Sequence, residues 1–337
     1  MHQIKSPWKN LLKKTSLMNN NILILSAGRR VELIQSFKAE ALSRSLPAKL
    51  YASDSNPHLS AACNFADEFF ETPLISDPSY GEFLFDLCLK HQIGLVIPTI
   101  DTDLLILTGL RLKFLNEGVC IVISEESFIE ICSDKRKTAN LFNRISIPSP
   151  KIYSLENLKY PCFVKPYDGS SSIGASLINT PSDLSKSLLN DKKMLFMEYI
   201  DASYDEYTID AYYDRHEELK CYVPRQRLAV RAGEISKGLT RRDDLYEILK
   251  DKLTLIKGAR GCITIQLFVH KTENSLLGLE INPRFGGGYP LSYSAGANYS
   301  GWLIDEYLLG KEIAFFDKWE KDLMMLRYDS KVLIHAN

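Results

Sequence analysis

The 337-residue chain is 45% hydrophobic with a net charge of −1, an ordinary globular composition with length enough for two or three folding units. The balanced charge gives no electrostatic reason to expect nucleic acid or an anionic membrane as partner. The longest apolar runs, such as 22–25 and 104–107, are too short to span a bilayer. Seven cysteines without a CxxC pair fit a reducing, cytoplasmic setting, with neither disulfides nor a zinc site.

Residues 1–20 carry Lys5, Lys9, Lys13 and Lys14 and no acid, but lack the apolar centre of a signal peptide. They read as a tail, with Met18 the expected natural start. From there, short apolar runs at 22–25, 50–52, 95–97 and 119–123 alternate with helical spacing at 31–42, 80–91 and 103–116. That order predicts a Rossmann-like parallel sheet over 21–125, covered on both faces. Ligands in such sheets sit beyond the carboxyl ends of the strands, which directs attention to residues 26–30, 54–56 and 99–101. GxGxxG is absent, so a dinucleotide site, and with it an oxidoreductase, ranks low.

Pro148 and Pro150 end the helical pattern of 135–144. Strand signals follow at 163–165, 175–178, 195–198, 206–213, 219–223, 262–269 and 276–281, broken by helix signals at 182–190 and 244–258. This is an α+β pattern with antiparallel sheet. It divides into linker helices with a small lid over 126–200 and a C-terminal domain over 201–337.

At the end of the last strong strand, Glu280 and Asn282 stand two positions apart and share a face, while Leu279 and Ile281 face the other way. A carboxylate beside a carboxamide suits Mg²⁺. A solvated strand face ending in a turn is an equally good reading of that segment alone. Gln266 on a neighbouring strand offers a third oxygen. Lys165 closes a strand before a loop of Asp168, Gly169, Ser170, Ser171, Ser172 and Gly174, where small residues let backbone N–H groups approach phosphate oxygens. A plain hairpin loop is the commoner origin of such a stretch. The span 225–242 concentrates cations, including Arg225 and Lys237, and reads either as a solvated face or as a funnel for anions.

Taken in order, Lys135, Lys165 with its Gly/Ser loop, Glu198, Glu206, Gln266, Glu280, Asn282 and Arg284 resemble the motif series of the ATP-grasp superfamily, particularly proteins similar to the carbamoyl-phosphate synthase large chain. The resemblance implies a Rossmann-like domain followed by an ATP-grasp fold, with ATP and Mg²⁺ or Mn²⁺ as cofactors. Lys135, Lys165, Ser170, Ser171, Ser172 and Gly174 would then contact phosphates. Glu198, Tyr199 and Ile200 would line the adenine pocket, and Glu206 would hold the ribose. Gln266, Glu280 and Asn282 would bind the metal, and Arg284, with Lys165, would serve the transferred phosphoryl group.

The implied activity is a carboxylate–amine ligase acting on small molecules through an acyl phosphate and releasing ADP. The chain has length for one half of a carbamoyl-phosphate synthase large chain, which argues against that reaction itself. Arg29, Arg30, Asp54, Arg225 and Lys237 are the acceptor-site candidates. Two alternatives remain at this level: a non-catalytic ATP-binding module, and a kinase-like enzyme that stops at the acyl phosphate. A homodimer is expected by analogy.

Overall fold

The computed structural model describes residues 19–169, 173–231, 233–273 and 275–335. Strands β1 (Asn21–Ile24), β2 (Leu50–Asp54), β3 (Glu68–Glu71), β4 (Ile93–Ile97) and β5 (Cys120–Ile121) form a parallel sheet of order β3-β2-β1-β4-β5. Helices α1 (Val31–Ser43), α2 (Tyr80–Lys90) and α3 (Asp101–Asn116) cover it. Strand alternation sends Ile22 and Ile24 into one core with Leu33, Ile34 and Phe37 of α1. Leu23 and Leu25 enter another with Leu84 of α2 and Leu107 of α3. Strand β3 was not expected, because Glu68 and Glu71 bracket only two apolar residues. It is an edge strand and needs only one buried neighbour.

Two helices, α4 (Glu126–Cys132) and α5 (Lys135–Arg144), lead into a four-stranded antiparallel sheet. It consists of β6 (Ile152–Tyr153), β7 (Cys162–Pro166), β8 (Ser176–Ile178) and β9 (Met194–Glu198), in the order β6-β9-β7-β8, with the short α6 (Lys186–Asn190) before β9. Among the described residues, its buried core cluster holds four side chains, Cys162, Val164, Ile178 and Phe196. So small a core makes this unit the one most easily displaced against its neighbours.

The third sheet has six strands. Its strands are β10 (Tyr204–Tyr213), β11 (Leu219–Arg231), β12 (Glu234–Thr240), β13 (Gly261–His270), β14 (Leu276–Asn282) and β15 (Met324–Leu326). Helix α7 (Asp244–Leu253) lies between β12 and β13, and α8 (Tyr289–Ser294) and α9 (Tyr299–Leu303) follow β14. The basic span expected as a solvated face or an anion funnel is a hairpin: β11 runs eight residues beyond Val223, because β12 pairs with it from Thr240 back to Glu234.

Register decides which face carries what. Gln266 pairs with both Thr208 and Glu280, and Thr264 pairs with Asn282, so these side chains share one face. The alternate residues Ile209, Ile265, Leu267 and Ile281 form the opposite, apolar face, packed with Leu249 and Leu253 of α7 and Phe142 of α5. Gly278 allows that packing. A Cβ there would lie 2.3 Å from the Phe142 ring, so only glycine lets α5 seat on β14. Glu40 of α1 accepts from Tyr293 Oη and Asn298 Nδ2, both at 2.7 Å, which ties the first sheet to the third.

Candidate active site

The polar face of the third sheet gathers the expected metal set. Glu280 Oε1 accepts from Gln266 Nε2 at 2.7 Å and from Asn282 Nδ2 at 3.1 Å, so all three side chains meet at one point. Rotating either amide turns its oxygen to the same place. Glu206, one register step along β10, pairs with Arg227, whose Nη1 also lies 3.4 Å from Gln266 Oε1. Burial raises the Glu206 pKa, opposed by Arg227. Glu206 therefore adjoins the cage.

Two lysines face this cage from other elements. Lys165 is the penultimate residue of β7 and is buried, and its Nζ feels Glu280, Lys135 and Glu206. Burial, reinforced by the like charge of Lys135, pushes its pKa down to about 8 despite the two carboxylates. Lys135 opens α5, capped by Asp134, whose carboxylate accepts from the Arg136 N–H. Burial lowers the Lys135 pKa too, against the pull of Glu280. Its Nζ donates to the Gly169 carbonyl, and its backbone N–H to that of Tyr167 at 3.0 Å, so the turn after β7 is held against the start of α5.

Glu198 ends β9, where its carboxylate accepts from the Lys151 N–H at 3.2 Å. Tyr199, exposed, and Ile200 follow it outside any strand ladder, the condition for backbone groups to meet a ligand edge. Gly174 adopts φ +74, out of reach of most side-chain-bearing residues. Ser170, Ser171 and Ser172 lie outside the described residues.

The end of β14 turns through Arg284 towards the first sheet. There Arg284 Nη2 pairs with Asp101 at the start of α3, at 2.7 Å. Asp54 Oδ2 accepts from the Gly28 N–H at 3.0 Å, and Thr99 Oγ1 donates to Ser26 O at 2.8 Å. These contacts fix the turn that presents Arg29 and Arg30. Asp54 is thus a scaffold for the turn, with its other oxygen accepting from Asn56 N–H. Arg29 pairs with Glu234 at 3.3 Å, and Arg30 donates to Thr99 O at 3.1 Å. Burial, then the neighbouring Arg284, pushes the Arg30 guanidinium down to about 10, against the upward pull of Glu234 and Asp101.

Two acceptor candidates are corrected. Arg225 is 1% exposed and forms a fork with Asp210, both bonds at 2.8 Å, with Ser292 Oγ on the same carboxylate. A side chain so enclosed supports the sheet and cannot meet a ligand. Lys237 alternates with Gly238, the register partner of Arg227, so it projects from the opposite face and is exposed. Sequence reasoning passed over Arg227, Asp101, Glu234 and Arg327 as site residues. The first two lay inside segments already singled out. Glu234 opens β12 and Arg327 follows β15, strands that carried no periodic signal.

A family model described as ATP-grasp in the biosynthetic pathway with Ter operon matches residues 190–329, and a PylC-like N-terminal domain model matches residues 22–123. Residues 190–329 thus match an ATP-grasp family, and the chain has that fold. The ATP-grasp fold extends to solved structures. The biotin carboxylase domain of Hydrogenobacter thermophilus 2-oxoglutarate carboxylase, solved with MgADP, ADP and bicarbonate, has a TM-score of 0.71 at 16% identity, covering 91% of this chain and 73% of that one. N5-carboxyaminoimidazole synthetase from Staphylococcus aureus gives 0.66 at 18%, covering 89% and 80%. L-amino acid ligase from Bacillus licheniformis gives 0.63 at 16%, covering 86% and 74%. No curated protein matches the sequence significantly.

Proposed function

We propose that this protein is an ATP- and Mg²⁺-dependent ligase that joins a small-molecule carboxylate to an amine through an acyl phosphate, releasing ADP and phosphate. The observation that carries the reading is the convergence of Lys135 and Lys165 on the cage of Gln266, Glu280 and Asn282. The biotin carboxylase, carboxyaminoimidazole synthetase and amino acid ligase likenesses support it.

The donor set fits magnesium. One carboxylate and two carboxamides supply hard oxygens, and Mg²⁺ commonly binds through one or two carboxylates together with substrate phosphates. No cluster of three or more His, Cys, Asp or Glu that could hold a metal occurs among the described residues, and two lysines stand close by. Gln266, Glu280 and Asn282 would hold the ion together with the nucleotide phosphates. When bound, it supplies charge neutralisation on the phosphates.

The chain's own groups do the rest. Lys165 and Lys135 hold phosphate oxygens, and the substrate carboxylate attacks the γ-phosphorus with ADP as leaving group. Arg284 neutralises the transferring phosphoryl group. The amine then adds to the acyl carbon, and its C–N bond replaces the C–O bond to phosphate. The lid sheet, with its small core, closes over the intermediate and excludes water.

The experiment is ADP release from mixtures of acids and amines, with mass spectrometry of the product. Release that requires both partners is the expected result. Hydroxylamine trapping of an acyl phosphate without any amine requirement would favour the kinase-like reading, and nucleotide binding without turnover on any mixture the binding-module reading.

A further inference from the structure

The turn between β1 and α1 is built on two left-handed residues. Ser26 and Gly28 both adopt φ +50, a conformation that glycine takes freely and serine does not. Each is tethered by a carboxylate. Asp54 Oδ2 accepts from the Gly28 N–H at 3.0 Å, and Asp103 Oδ2 accepts from Ser26 Oγ at 2.9 Å. The chain then turns into Arg29 and Arg30, which line a small cleft together with Glu234, Gly286 and Arg327. A tether on Ser26 therefore bears on where both guanidiniums stand.

Asp103 is a costly side chain for this task. It lies in the first turn of α3 and is 0% exposed, and its Oδ1 is buried without a hydrogen-bond partner among the described residues. The titratable and charged groups that face it are Asp101 on its own helix, Asp54 at the end of β2, and Tyr80 at the start of α2. Burial, with the two acids adding to it, pushes the Asp103 pKa up to about 7 against the bond from Ser26.

An asparagine would offer Ser26 the same kind of oxygen without a charge. The carboxylate instead weakens the fold as pH rises from its ordinary value of 3.8 to about 7, because over that range the unfolded chain ionises first. Charges held at such a cost are enriched at functional sites, and this one lies at the carboxyl ends of the strands, where parallel sheets bind their ligands.

We infer that Asp103 is a positioning residue for the acceptor side of the reaction: its ionised form holds Ser26 left-handed and so sets Arg29 and Arg30, and its protonation loosens that turn. Asp103 does not line the cleft and acts through Ser26. Ionised, Oδ2 makes a charge-assisted bond, roughly twice as strong as a neutral one. Protonated, it holds the hydroxyl more weakly, and the backbone strain at Ser26 works against it. The consequence for acceptor binding rests on the ligase reading, whereas the response of the turn to protonation stands apart from it.

The test uses the full chain. Carbon-13 NMR of aspartate-labelled protein should show a carboxyl titrating near pH 7 that is missing from Asp103→Asn. Hydrogen exchange over residues 26–30, corrected for its intrinsic pH dependence, should show about threefold to tenfold less protection at pH 6 than at pH 8 in the wild type, and equal protection at both in Asp103→Asn. In ADP release with the acid and amine pair found by the screen, KM for the amine should carry a rise of about the same size between pH 8 and pH 6, absent from Asp103→Asn. Across these proteins kcat and the affinity for a non-hydrolysable ATP analogue should keep one pH profile. Ser26→Gly, which takes the left-handed conformation without a tether, should also lack the rise, and it decides the matter if Asp103→Asn does not fold. A wild-type turn equally protected at both pH values, or a rise in KM that persists in Asp103→Asn or in Ser26→Gly, would overturn the proposal. Absence of turnover on every mixture would instead remove the ligase reading, and the exchange result would still decide the role of Asp103.

Discussion

Arg284 and Asp101, 183 positions apart, meet at 2.7 Å where the turn after β14 reaches the first turn of α3. The contact ties the candidate phosphoryl-transfer arginine to the start of α3. It also sets the guanidinium in one orientation, because two of its nitrogens share Asp101 Oδ2.

Replacing Asp101 with Asn keeps the shape and removes the charge. The expected outcome in steady-state ADP release is a fall of about 10²-fold in kcat/KM for the acceptor, the scale of losing one oriented electrostatic contact in an active site. KM for ATP should change little. A parallel loss of ATP affinity would show that Asp101 shapes the nucleotide side instead.

The Lys165 ammonium, with its pKa pushed down by burial to about 8, makes nucleotide binding pH-dependent. Below pH 8 the free protein already carries the cation. Above it the amine is neutral, and triphosphate oxygens, which favour the cation, draw a proton in on binding. Affinity for an ATP analogue should therefore fall as pH rises from 8 towards the ordinary lysine value of 10.5, with proton uptake seen when titrations are repeated in buffers of different ionisation enthalpy. The sign for folding is opposite. The burial penalty on the charged form is fully present below pH 8 and is relieved towards 10.5. Lys165→Arg, which stays charged throughout, should flatten the binding profile.

Glu280 is the acceptor for both amides of the cage. Glu280→Gln should raise the Mg²⁺ concentration needed for turnover and lower kcat by about 10² to 10³, while circular dichroism and the melting transition stay close to wild type. Loss of the fold would mean that the carboxylate chiefly offsets the repulsion between Lys165 and Lys135.

Arg225 behaves as support for the sheet. Arg225→Met leaves Asp210 buried without its partner and should cost about 3 to 5 kcal/mol in urea unfolding. At low temperature, with the fold intact, ATP-analogue affinity should match wild type. A normal melt with lost substrate affinity would return Arg225 to the acceptor site.

Much of this was legible in the residues. The alternation at 22–25, the i and i+2 pair Glu280 and Asn282, and the lysine before a Gly/Ser loop each follow from local periodicity, which the chain carries wherever a strand has one buried face. The exposed edges β3, β6 and β15 were not legible, since an edge strand needs little apolar sequence. Nor was the inward burial of Arg225, because a charged residue in a basic span looks solvated until Asp210 is found opposite it.

The sequence alone determined the order of elements, the ATP-grasp motif series and the chemistry each motif could offer, because these depend on neighbours within a few positions. Only the tertiary structure decided that Gln266 meets Glu280, that Arg284 leans on Asp101, that Lys237 faces away and that, among the described residues, Arg30 has no carboxylate within ion-pair distance. Those outcomes depend on strand register and on how one sheet is seated against another. A shift of one residue in either would send the same side chains to the other face.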